Sequence, residues 1–442
     1  MYNKRIAIVG TGYVGLVQGI CMADFGLKVL NVDLDEEKII KLKSGKIPIY
    51  EPGLSDKFER VLKKGSIDFT TDIIGAIEEC EVIFIAVGTP PNENWTADLQ
   101  NVFSVAKSIG TYMNDYKVIV TKSTVPVGTG RKIKTIVQEQ LDDRGVKYDF
   151  NVASNPEFLR EGKAVQDFMV PDRVVIGSDD ERAIEILKSI YRPLNLNQVP
   201  FVITDLESSE MIKYASNAFL ATKVAFINEV ANLCEKLGAD VHMVAKGMGM
   251  DGRIGSKFLH PGPGYGGSCF PKDTRALVAI AQEAKEALPI IEIVITSNEN
   301  QKKRMVKKIC NAMGDVGGKT IGVLGLTFKA ETDDIRESPA IVIITELLRL
   351  GANIKAYDPE GIPNYKTYVT NARNITYCFD EYEVAKGADA LVIITEWNEF
   401  RQIDLVAIAE LMNDKYIFDF RNMFDPQKVR EMGYHYESIG RK

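Results

Sequence analysis

Histidine is scarce in this chain of 442 residues, and its cysteines show no pairing pattern. The three histidines lie far apart, outside any ligand spacing such as H-E-x-x-H, so a histidine-ligated metal and histidine-centred acid-base catalysis are disfavoured. The six cysteines include no C-x-x-C pair, which disfavours a zinc site or a disulfide framework and favours a reducing compartment. We therefore expect no metal, and we expect any catalytic acid or base to be lysine, aspartate or glutamate.

A basic excess and long apolar runs are also missing. The chain carries 54 lysine and arginine residues against 61 aspartate and glutamate residues, whereas binding to a phosphate backbone usually leaves a basic excess. No apolar stretch approaches the roughly 18 residues of a membrane span, and the first residues contain no signal-peptide core. We expect a soluble, cytoplasmic protein that binds neither nucleic acid nor membranes.

Short β-branched runs alternate with helical patterns over about the first 200 residues. This alternation predicts βαβ units and a parallel sheet covered by helices on both faces. The continuous apolar character of the runs is typical of strands buried on both sides. The predicted strands are 6–9, 29–32, 82–87, 118–121, 152–154 and 174–176, and the predicted helices include 99–113 and 130–141.

The segment 206–237 contains neither glycine nor proline, and its apolar side chains recur at spacings of three and four. This pattern predicts one long helix. A small domain cannot cover such a helix, so we expect it to bridge two domains and to pack against a second copy of the chain. A segment rich in glycine and proline, 247–271, follows it, and then a further helical stretch that continues to residue 300.

From residue 319 the alternation restarts, with predicted strands 320–326, 353–357, 392–395 and 416–420 and a predicted helix 339–350. The first of these strands contains Gly322 and Gly325 but lacks the full dinucleotide fingerprint, so we expect it to hold something other than the same cofactor in the same way. The predicted fold is α/β, with two Rossmann-like parallel-sheet domains joined by a long central helix. The predicted domains are 1–204, 205–300 and 301–442.

A glycine-rich turn follows the first predicted strand. Gly10, Gly12 and Gly15 form a G-x-G-x-x-G that opens a helix, and Asp33 ends the next strand. The first glycine makes the turn, the second lets a pyrophosphate approach the backbone, and the third lets helix and strand pack closely. The helix N-terminus offers N–H groups to the anion, and Asp33 can bind a ribose diol and would repel a 2′-phosphate. The pattern predicts NAD as cofactor, and the alternative is a ligand-free turn with a surface aspartate.

Two further loops, 87–91 and 122–126, follow predicted strands. Both therefore lie at carboxyl ends of strands, where open α/β sheets bind ligands. Each loop read by itself is equally compatible with a polar connection that ends at a proline.

Cys269 differs from the other five cysteines, which lie in helical or apolar contexts typical of buried thiols. Glycines precede it, and Lys272 supplies a cation that favours the nucleophilic thiolate. A structural cysteine in a glycine loop is the alternative. Lys213 and Asn217 lie four residues apart on the predicted long helix and share a face, where they either hold an oxygen or are a solvated lysine and a chance asparagine. The segment 155–162 adds two carboxylates after a strand.

Taken in order, these segments resemble the UDP-glucose 6-dehydrogenase family of nucleotide-sugar dehydrogenases. The resemblance spans nearly the whole chain and implies a four-electron oxidation of the C6 alcohol of UDP-glucose to a carboxylate, by two NAD molecules in succession and without a metal. It also implies a homodimer through the central helix, and a C-terminal domain that binds the UDP moiety. The matching segments are 10–15, 88–90, 123–128, 155–162, 266–273, 328–329 and 332–336.

The resemblance implies a role for each matching residue. Cys269 would add to the intermediate aldehyde, yield a thioester after the second hydride transfer to NAD, and release the acid on hydrolysis. Lys213 and Asn217 would stabilise negative charge on the reacting oxygen. Asp273, with Thr124 and Glu157, would transfer protons through an ordered water. The implied catalytic residues are Cys269, Lys213, Asn217, Asp273, Thr124 and Glu157.

The implied binding residues fall into two sets. The NAD contacts are Gly10, Gly12, Val14, Gly15, Asp33, Lys38, Thr89, Thr124, Glu161, Lys272 and Arg336. The nucleotide-sugar contacts are Glu157, Phe158, Leu159, Arg160, Glu161, Lys213, Asn217, Arg253, Phe258, Leu259, His260, Pro261, Gly262, Gly266 and Lys329. Within the second set, Lys329 and Arg253 would face the charges of the substrate.

Three alternatives remain open. The nearest is a 6-dehydrogenase that acts on GDP-mannose or UDP-N-acetylmannosamine by the same chemistry, because Tyr265 and the pair His260-Pro261 depart from the family pattern beside the uridine and the sugar. A two-electron dehydrogenase of the hydroxyacid type would need neither Cys269 nor a second α/β domain. In an NAD-responsive regulator without catalysis, Cys269 would be structural or redox-sensing.

Overall fold

The computed structural model describes residues 2–369 and 374–441, and these contain two sheets and the helices around them. The strands are β1 (Arg5–Val9), β2 (Lys28–Val32), β3 (Ile67–Thr70), β4 (Val82–Ile85), β5 (Lys117–Thr121), β6 (Phe150–Ser154), β7 (Val174–Gly177), β8 (Phe201–Thr204), β9 (Thr320–Leu324), β10 (Asn353–Tyr357), β11 (Ile375–Tyr377), β12 (Ala390–Ile393), β13 (Tyr416–Asp419) and β14 (His435–Ser438).

Helices connect most of these strands. The α-helices are α1 (Tyr13–Asp24), α2 (Glu36–Lys43), α3 (Leu54–Lys63), α4 (Ile73–Glu79), α5 (Gln100–Tyr112), α6 (Thr129–Asp143), α7 (Ala164–Met169), α8 (Glu181–Ile190), α9 (Leu206–Leu237), α10 (Val241–Gly249), α11 (Phe270–Glu283), α12 (Pro289–Met313), α13 (Pro339–Arg349), α14 (Ile362–Tyr368), α15 (Glu381–Ala385), α16 (Leu405–Leu411) and α17 (Pro426–Glu431). Short 3₁₀ helices span Arg192–Asn197 and Glu399–Gln402.

The first sheet has eight strands in the order β3-β2-β1-β4-β5-β6-β7-β8. Strands β1 to β6 are parallel, whereas β7 pairs antiparallel with β6 and β8 runs parallel to β7. The prediction of a wholly parallel sheet is therefore wrong for its last two strands. Alternate side chains of the inner strands enter two apolar clusters, one on each face, which is why these strands are apolar throughout.

The second sheet has six parallel strands in the order β11-β10-β9-β12-β13-β14. Numbered within its own domain, this is the order 3-2-1-4-5-6, and the first sheet begins with the same order. That order is the Rossmann arrangement of two mononucleotide-binding halves. The predicted α/β class with two Rossmann-like sheets is confirmed.

The long helix α9 begins and ends at the predicted residues. Gly238 ends it with a φ of +77° and donates its N–H to the carbonyl of Cys234. The chain forms two compact units, one of residues up to Ser216 with Ala279–Ala284, the other of Asn217–Val278 and the chain from Lys285 onward. Helix α9 thus contributes residues to both units, and the three predicted domains with their boundaries stay a prediction.

The helical stretch predicted to end at residue 300 is instead two helices, α11 and α12. Pro289 starts α12 at its first position, where a missing N–H costs nothing, and Gly314 ends it with a φ of +74°. The predicted boundary after residue 300 therefore lies inside α12. In the part of the chain that the structure describes, no helix has both the length and the apolar character needed to cross a membrane.

Candidate active site

Three glycines shape the turn between β1 and α1. Gly10 has a φ of +106°, its N–H donates to the carbonyl of Val32 (2.7 Å), and a Cβ there would lie 2.5 Å from the carbonyl oxygen of Ala86. A Cβ on Gly15 would lie 2.0 Å from the carbonyl oxygen of Gly10. A Cβ on Gly12 would have no neighbour within 4 Å among the described residues. Packing therefore requires two of the glycines, whereas Gly12 borders open space that a pyrophosphate can enter.

The start of α1 and Asp33 have the chemistry of a dinucleotide site. Among the described residues, no side chain caps α1 and its first turn contains no acid, so its N–H groups are left for an anion. The Oδ2 atom of Asp33 accepts the N–H and the hydroxyl of Thr11 (2.8 and 2.5 Å), and Lys38 Nζ lies 3.4 Å away. Burial would raise the pKa of Asp33, but these hydrogen bonds and Lys38 hold it below its ordinary value. The residues fit NAD, with an ionised acceptor for the ribose.

Two loops beside this turn are tied to each other. The Thr89 hydroxyl donates to the carbonyl oxygen of Thr124 (3.0 Å), and the Ser123 hydroxyl donates to that of Val87 (2.7 Å). The loops after β4 and β5, which the sequence left as either ligand-binding turns or polar connections, therefore form one hydrogen-bonded edge.

Glu157 and Lys213 form a buried ion pair in the first unit. Their Oε1 and Nζ atoms lie 2.9 Å apart, and the side chains are only 7% and 4% exposed. The second carboxylate oxygen accepts the N–H of Leu159 (2.6 Å), and Lys213 Nζ lies 5.4 Å from the ring centroid of Phe158. Lys213 is thus buried rather than solvated. A buried pair of this kind costs stability unless its geometry is good, and it provides a proton donor and acceptor shielded from water.

Lys122, which sequence analysis treated only as part of a polar loop, lies buried beside the same strands. Its Nζ atom lies 3.1 Å from Asn155 Oδ1 and 3.5 Å from the hydroxyl of Tyr191. Burial lowers the pKa of Lys122 to about 8. A lysine directly after an apolar strand was the available signal for this burial.

Glu51 was also missed, and it connects the dinucleotide helix to the loop that carries Glu161. Its carboxylate accepts the hydroxyl of Tyr13, the first residue of α1, together with the N–H groups of Gly162 (2.7 Å) and Val165 (3.3 Å). No sequence pattern indicates these contacts, because the partners are distant along the chain.

Cys269 stands at the N-terminus of α11 in the second unit. Its carbonyl oxygen accepts the N–H of Asp273 (2.8 Å), the first hydrogen bond of that helix, and its Sγ lies 3.5 Å from the hydroxyl of Ser268. The thiol is partly exposed. The partial positive charge of a helix N-terminus favours thiolate over thiol, so this placement suits a nucleophile.

The glycines before Cys269 pack against the segment that carries Arg336. The N–H of Gly267 donates to the carbonyl of Arg336 (2.8 Å), and a Cβ on Gly267 would lie 2.7 Å from the ring of Phe328. A Cβ on Gly266 would lie 2.4 Å from the carbonyl oxygen of Glu337. Larger residues would push this loop away, so the glycines fix the position of the cysteine.

Asp273 contacts two other predicted site residues of the second unit, Lys272 and Asn217. Its Oδ1 pairs with Lys272 Nζ (2.6 Å), and its Oδ2 accepts the Asn217 side-chain amide (2.6 Å). The carboxyl is almost completely buried. Lys272, which sequence analysis placed beside the thiolate, forms its ion pair with Asp273 instead.

The other predicted substrate residues are more scattered. In the segment 258–262, Phe258 has a φ of +64° and packs against Phe270 (centroids 6.0 Å apart), His260 is exposed, and the N–H of Gly262 donates to Asn228 Oδ1 (2.8 Å). The three predicted arginine contacts each pair with a nearby aspartate. The pairs are Arg160 with Asp167 (2.6 Å), Arg253 with Asp251 (2.5 Å) and Arg336 with Asp334 (2.8 Å).

The five remaining cysteines have a different environment from Cys269. Burial raises the pKa of each of their thiols above the ordinary value, to about 12 for Cys21 and about 11 for Cys80. The others whose pKa is raised are Cys234, Cys310 and Cys378. Four of the five are buried, as expected of small apolar core residues, whereas Cys310 is partly exposed.

Comparison with known proteins accounts for the whole chain. Three models of the UDP-glucose/GDP-mannose dehydrogenase family match it: the NAD binding domain at residues 4–195, the central domain at 207–300 and the UDP binding domain at 322–426. The predicted cofactor NAD is thereby confirmed at the level of the family.

Three relatives illustrate the similarity. UDP-glucose 6-dehydrogenase TuaD of Bacillus subtilis (strain 168) is 50% identical over 99% of this chain and 93% of its own length. UDP-glucose 6-dehydrogenase of Rhizobium meliloti (strain 1021) is 50% identical over 99% of both chains. The structure of a UDP-glucose dehydrogenase from the archaeon Pyrobaculum islandicum superposes with a TM-score of 0.91 at 34% identity, covering 100% of this chain and 98% of that one. This chain is an enzyme of the UDP-glucose/GDP-mannose dehydrogenase family.

Proposed function

We propose that this enzyme oxidises UDP-glucose to UDP-glucuronate, consuming two NAD⁺ and one water and releasing two NADH. The observation that carries the proposal is the partly exposed Cys269 at the N-terminus of α11, in a chain whose relatives at 50% identity are named UDP-glucose 6-dehydrogenase. A primary alcohol needs no nucleophile to become an aldehyde. A nucleophile is needed for the second oxidation, because a bare aldehyde has no hydride that is easily transferred.

Cys269 is proposed to supply that nucleophile. Its thiolate adds to the C6 aldehyde and forms a C–S bond, so that the carbon regains a transferable hydride. Loss of this hydride leaves a thioester, and attack by water breaks the C–S bond to release the carboxylate and the thiolate. Bound NAD supplies the hydride acceptor for each oxidation. The residues proposed to hold it include Gly12, Asp33 and Thr89, on the geometry described above.

Two clusters are proposed to handle protons and charge. In the first unit, the buried Lys213 and Glu157 can stabilise negative charge on the C6 oxygen and accept its proton, since the pair already shares a 2.9 Å contact. In the second unit, Asn217 and Lys272 hold both oxygens of Asp273, which orients this carboxylate for activating water in the hydrolytic step.

The nucleotide part of the substrate is proposed to bind in the second unit. The family model for the UDP binding domain covers most of its sheet, and Lys329 offers a cation whose Nζ lies 5.2 Å from the centroid of Phe328. Tyr265, which departs from the family pattern, is buried with its ring 5.9 Å from that of Phe270. Its departure therefore changes the packing beside Phe270. The preference for UDP-glucose over other sugars is supported by the relatives at 50% identity that are named UDP-glucose 6-dehydrogenase.

The enzyme is also proposed to be a homodimer through α9. Phe219, Phe226, Leu233 and Leu237 are all exposed, and their spacing of seven, seven and four residues places them on one face of the helix. A second copy of this helix would cover the stripe. Sedimentation equilibrium that gives the mass of a single chain at micromolar concentration would contradict this assembly.

The experiment that tests the reaction counts NADH released per UDP-glucose consumed, in wild type and in Cys269→Ser. Wild type is expected to give two, and the serine variant to lose steady-state turnover by at least about a thousandfold, since serine is a far weaker nucleophile. Cys310→Ser is the matched control, because Cys310 is also partly exposed but lies in α12. Unchanged turnover in Cys269→Ser would exclude the thioester route.

The same assay separates the alternatives. One NADH per sugar would indicate a two-electron alcohol dehydrogenase. If UDP-glucose gives no NADH but GDP-mannose or UDP-N-acetylmannosamine is turned over, the enzyme acts on that sugar nucleotide and stays within the same family.

A further inference from the structure

Glu210 is a buried carboxylate that the proposed chemistry does not use. It lies on α9, one turn before Lys213, and it is 2% exposed. Its two oxygens accept the backbone N–H groups of Gly128 (2.6 Å) and Gly130 (2.7 Å), at the N-terminus of α6. Among the described residues, α6 has no side-chain cap of its own and no acid in its first turn. Glu210 therefore caps α6 from another helix, where the helix dipole favours a negative charge.

The loop that Glu210 holds is the one that carries Thr124. Within this loop, the carbonyl of Pro126 accepts the N–H (3.1 Å) and the hydroxyl (2.6 Å) of Thr129, and the carbonyl of Thr124 accepts the Thr89 hydroxyl (3.0 Å). The loop is thus rigid between its first residues and the start of α6. Two hydrogen bonds to Glu210 connect the end of this loop and the start of α6 to α9.

The neighbouring contacts leave little freedom at this junction. A Cβ on Gly130 would lie 3.0 Å from Leu206 Cδ2 and 3.3 Å from Glu210 Oε1. The hydroxyl of Ser209 donates to Ser154 at the end of β6 (2.9 Å). The first turns of α9 are therefore packed against both the Thr124 loop and the strand that leads to Glu157.

We propose that Glu210 is a positioning residue of the active site: as a carboxylate it locks the Thr124 loop to the helix that carries Lys213. This role rests on the proposed function, since Thr124 and Lys213 are taken to act on NAD and substrate. Protonation of Glu210 would convert one carboxylate oxygen into a hydroxyl, which is a weaker hydrogen-bond acceptor. One backbone N–H of the loop would then lose its partner.

The electrostatic surroundings of Glu210 support a role that depends on its charge. Burial raises the pKa of Glu210 to about 7, while the hydrogen bonds from Gly130 and Gly128 oppose this rise. The charged groups that face it are Glu207 on its own helix and Arg131 on α6. Arg131 is held by Glu207 (2.7 Å) and by Asp179, so its charge is largely compensated. Glu210 thus changes its charge near neutral pH.

The test compares wild type with Glu210→Gln by kcat/KM for NAD at several pH values between 6 and 9. Glutamine keeps the shape but places an N–H₂ group against one backbone donor. The ratio of wild type to variant isolates Glu210, because every other titrating group is common to both proteins. If Glu210 has a pKa near 7 and its ionised form raises kcat/KM tenfold, the ratio of kcat/KM in wild type to that in Glu210→Gln is expected to be about two at pH 6 and about nine at pH 8. A ratio that does not vary with pH would overturn the proposal.

Glu207→Gln is the matched control. Glu207 lies one turn earlier on the same helix, and its side chain is 39% exposed. Its replacement by glutamine removes a charge of the same sign without touching the Thr124 loop. This variant is expected to keep kcat/KM within about twofold at every pH. If it reproduces the pH-dependent ratio, the effect comes from general electrostatics and the role of Glu210 is refuted.

Two additions keep the outcome decisive. If Glu210→Gln does not fold, Glu210→Asp retains the charge but is one methylene too short, and it is expected to lower kcat/KM while keeping a constant ratio to wild type above pH 8, where both carboxylates are ionised. NAD affinity of the free proteins, measured by calorimetry at pH 6 and 8, tests Glu210 even without turnover, since Thr124 is also a proposed NAD contact. Wild type without activity on any sugar nucleotide would refute the proposed function. Equal NAD affinities of wild type and variant at pH 8 would refute the role of Glu210.

Discussion

The two sheets start in the same way. In each, the residue after the first strand is a glycine with positive φ, Gly10 at +106° and Gly325 at +97°. The N–H of each glycine donates to the carbonyl at the end of the next strand, Val32 at 2.7 Å and Tyr357 at 2.9 Å. In both places a Cβ would lie within about 2.5 Å of the segment that follows a neighbouring strand, at Ala86 after β4 and at Thr395 after β12. Neither glycine can therefore be replaced without moving that segment.

Asp33 and Asp358, the acids that follow β2 and β10, have different roles. Asp33 accepts from Thr11 and keeps its side chain 17% exposed, which leaves it able to bind a ribose. Asp358 occupies the equivalent position but is 1% exposed. The donors to Asp358 are the N–H groups of Leu326, Thr327, Glu360 and Gly361, the hydroxyl of Thr327 and the indole of Trp397.

The helices that follow differ as well. Helix α1 begins three residues after Gly10, at Tyr13, without a side-chain cap among the described residues. Helix α13 begins 14 residues after Gly325, at Pro339, and the Ser338 hydroxyl oxygen accepts the N–H of Ala340 (3.2 Å). The same strand order thus leaves an open anion site in one sheet and a closed, internally bonded loop in the other. Strand topology alone does not make a dinucleotide site.

Exchanging Asp358 for asparagine should separate the two acids most clearly. The amide group would face backbone donors in a buried site, so we expect a loss of about 3 kcal/mol in the free energy of unfolding, measured by urea denaturation. Asp33→Asn is the control, and it should lose less than about 1 kcal/mol because water reaches its side chain. Equal losses in the two variants would show that the acids play the same structural part.

Gly12→Ala tests the open space at the start of α1. Gly12 has an ordinary φ of −68°, and its Cβ would have room among the described residues, so the thermal midpoint should change by no more than about 2 °C. NAD affinity, measured by calorimetry, should fall at least about tenfold, because the methyl group occupies the approach to the pyrophosphate. Gly247→Ala, at another glycine with open space, is the control and should bind NAD normally. Normal NAD binding by Gly12→Ala would place the pyrophosphate elsewhere.

Asp33→Asn should have the smallest effect, on the choice between NAD and NADP. Loss of the negative charge removes the repulsion of a 2′-phosphate, while one hydrogen bond to the ribose weakens by about 1 kcal/mol. The ratio of the dissociation constants for NADP and NAD should therefore narrow by about tenfold. Asp35→Asn removes a charge two residues away and keeps the cap of α2, so it should leave the ratio unchanged. An unchanged ratio in Asp33→Asn would mean that Asp33 does not face the ribose.

Sequence patterns located the inner strands of both sheets and missed the outer ones. The four missed strands, β3, β8, β11 and β14, are the edges of the two sheets. An edge strand has neighbours on one side only and shows mixed burial, as in Ile67–Thr70, so it lacks the continuous apolar run that reveals an inner strand. The reversal of β7 was missed because a short apolar run carries no information on strand direction.

The candidate site shows the same distinction between residues that a local pattern predicts and residues that it does not. Cys269 and the glycines of the first turn are predicted from local motifs, since each motif is itself the structural unit, and Asp273 is predicted from the family resemblance. Glu51 and Glu210 could not, because their partners lie 111 and 82 residues away in the chain. Only folding brings such carboxylates to backbone N–H groups, and a lone glutamate in a helix or loop has no pattern of its own.

The raised pKa of the five cysteines other than Cys269 has a practical meaning for chemical labelling. At neutral pH those five thiols stay protonated and react slowly with alkylating reagents. Cys310 is the one of these five that is partly exposed, so a mild maleimide pulse applied to Cys310→Ser is expected to place a fluorophore at position 269. The enzyme carries a built-in attachment point for a reporter at its proposed reacting atom.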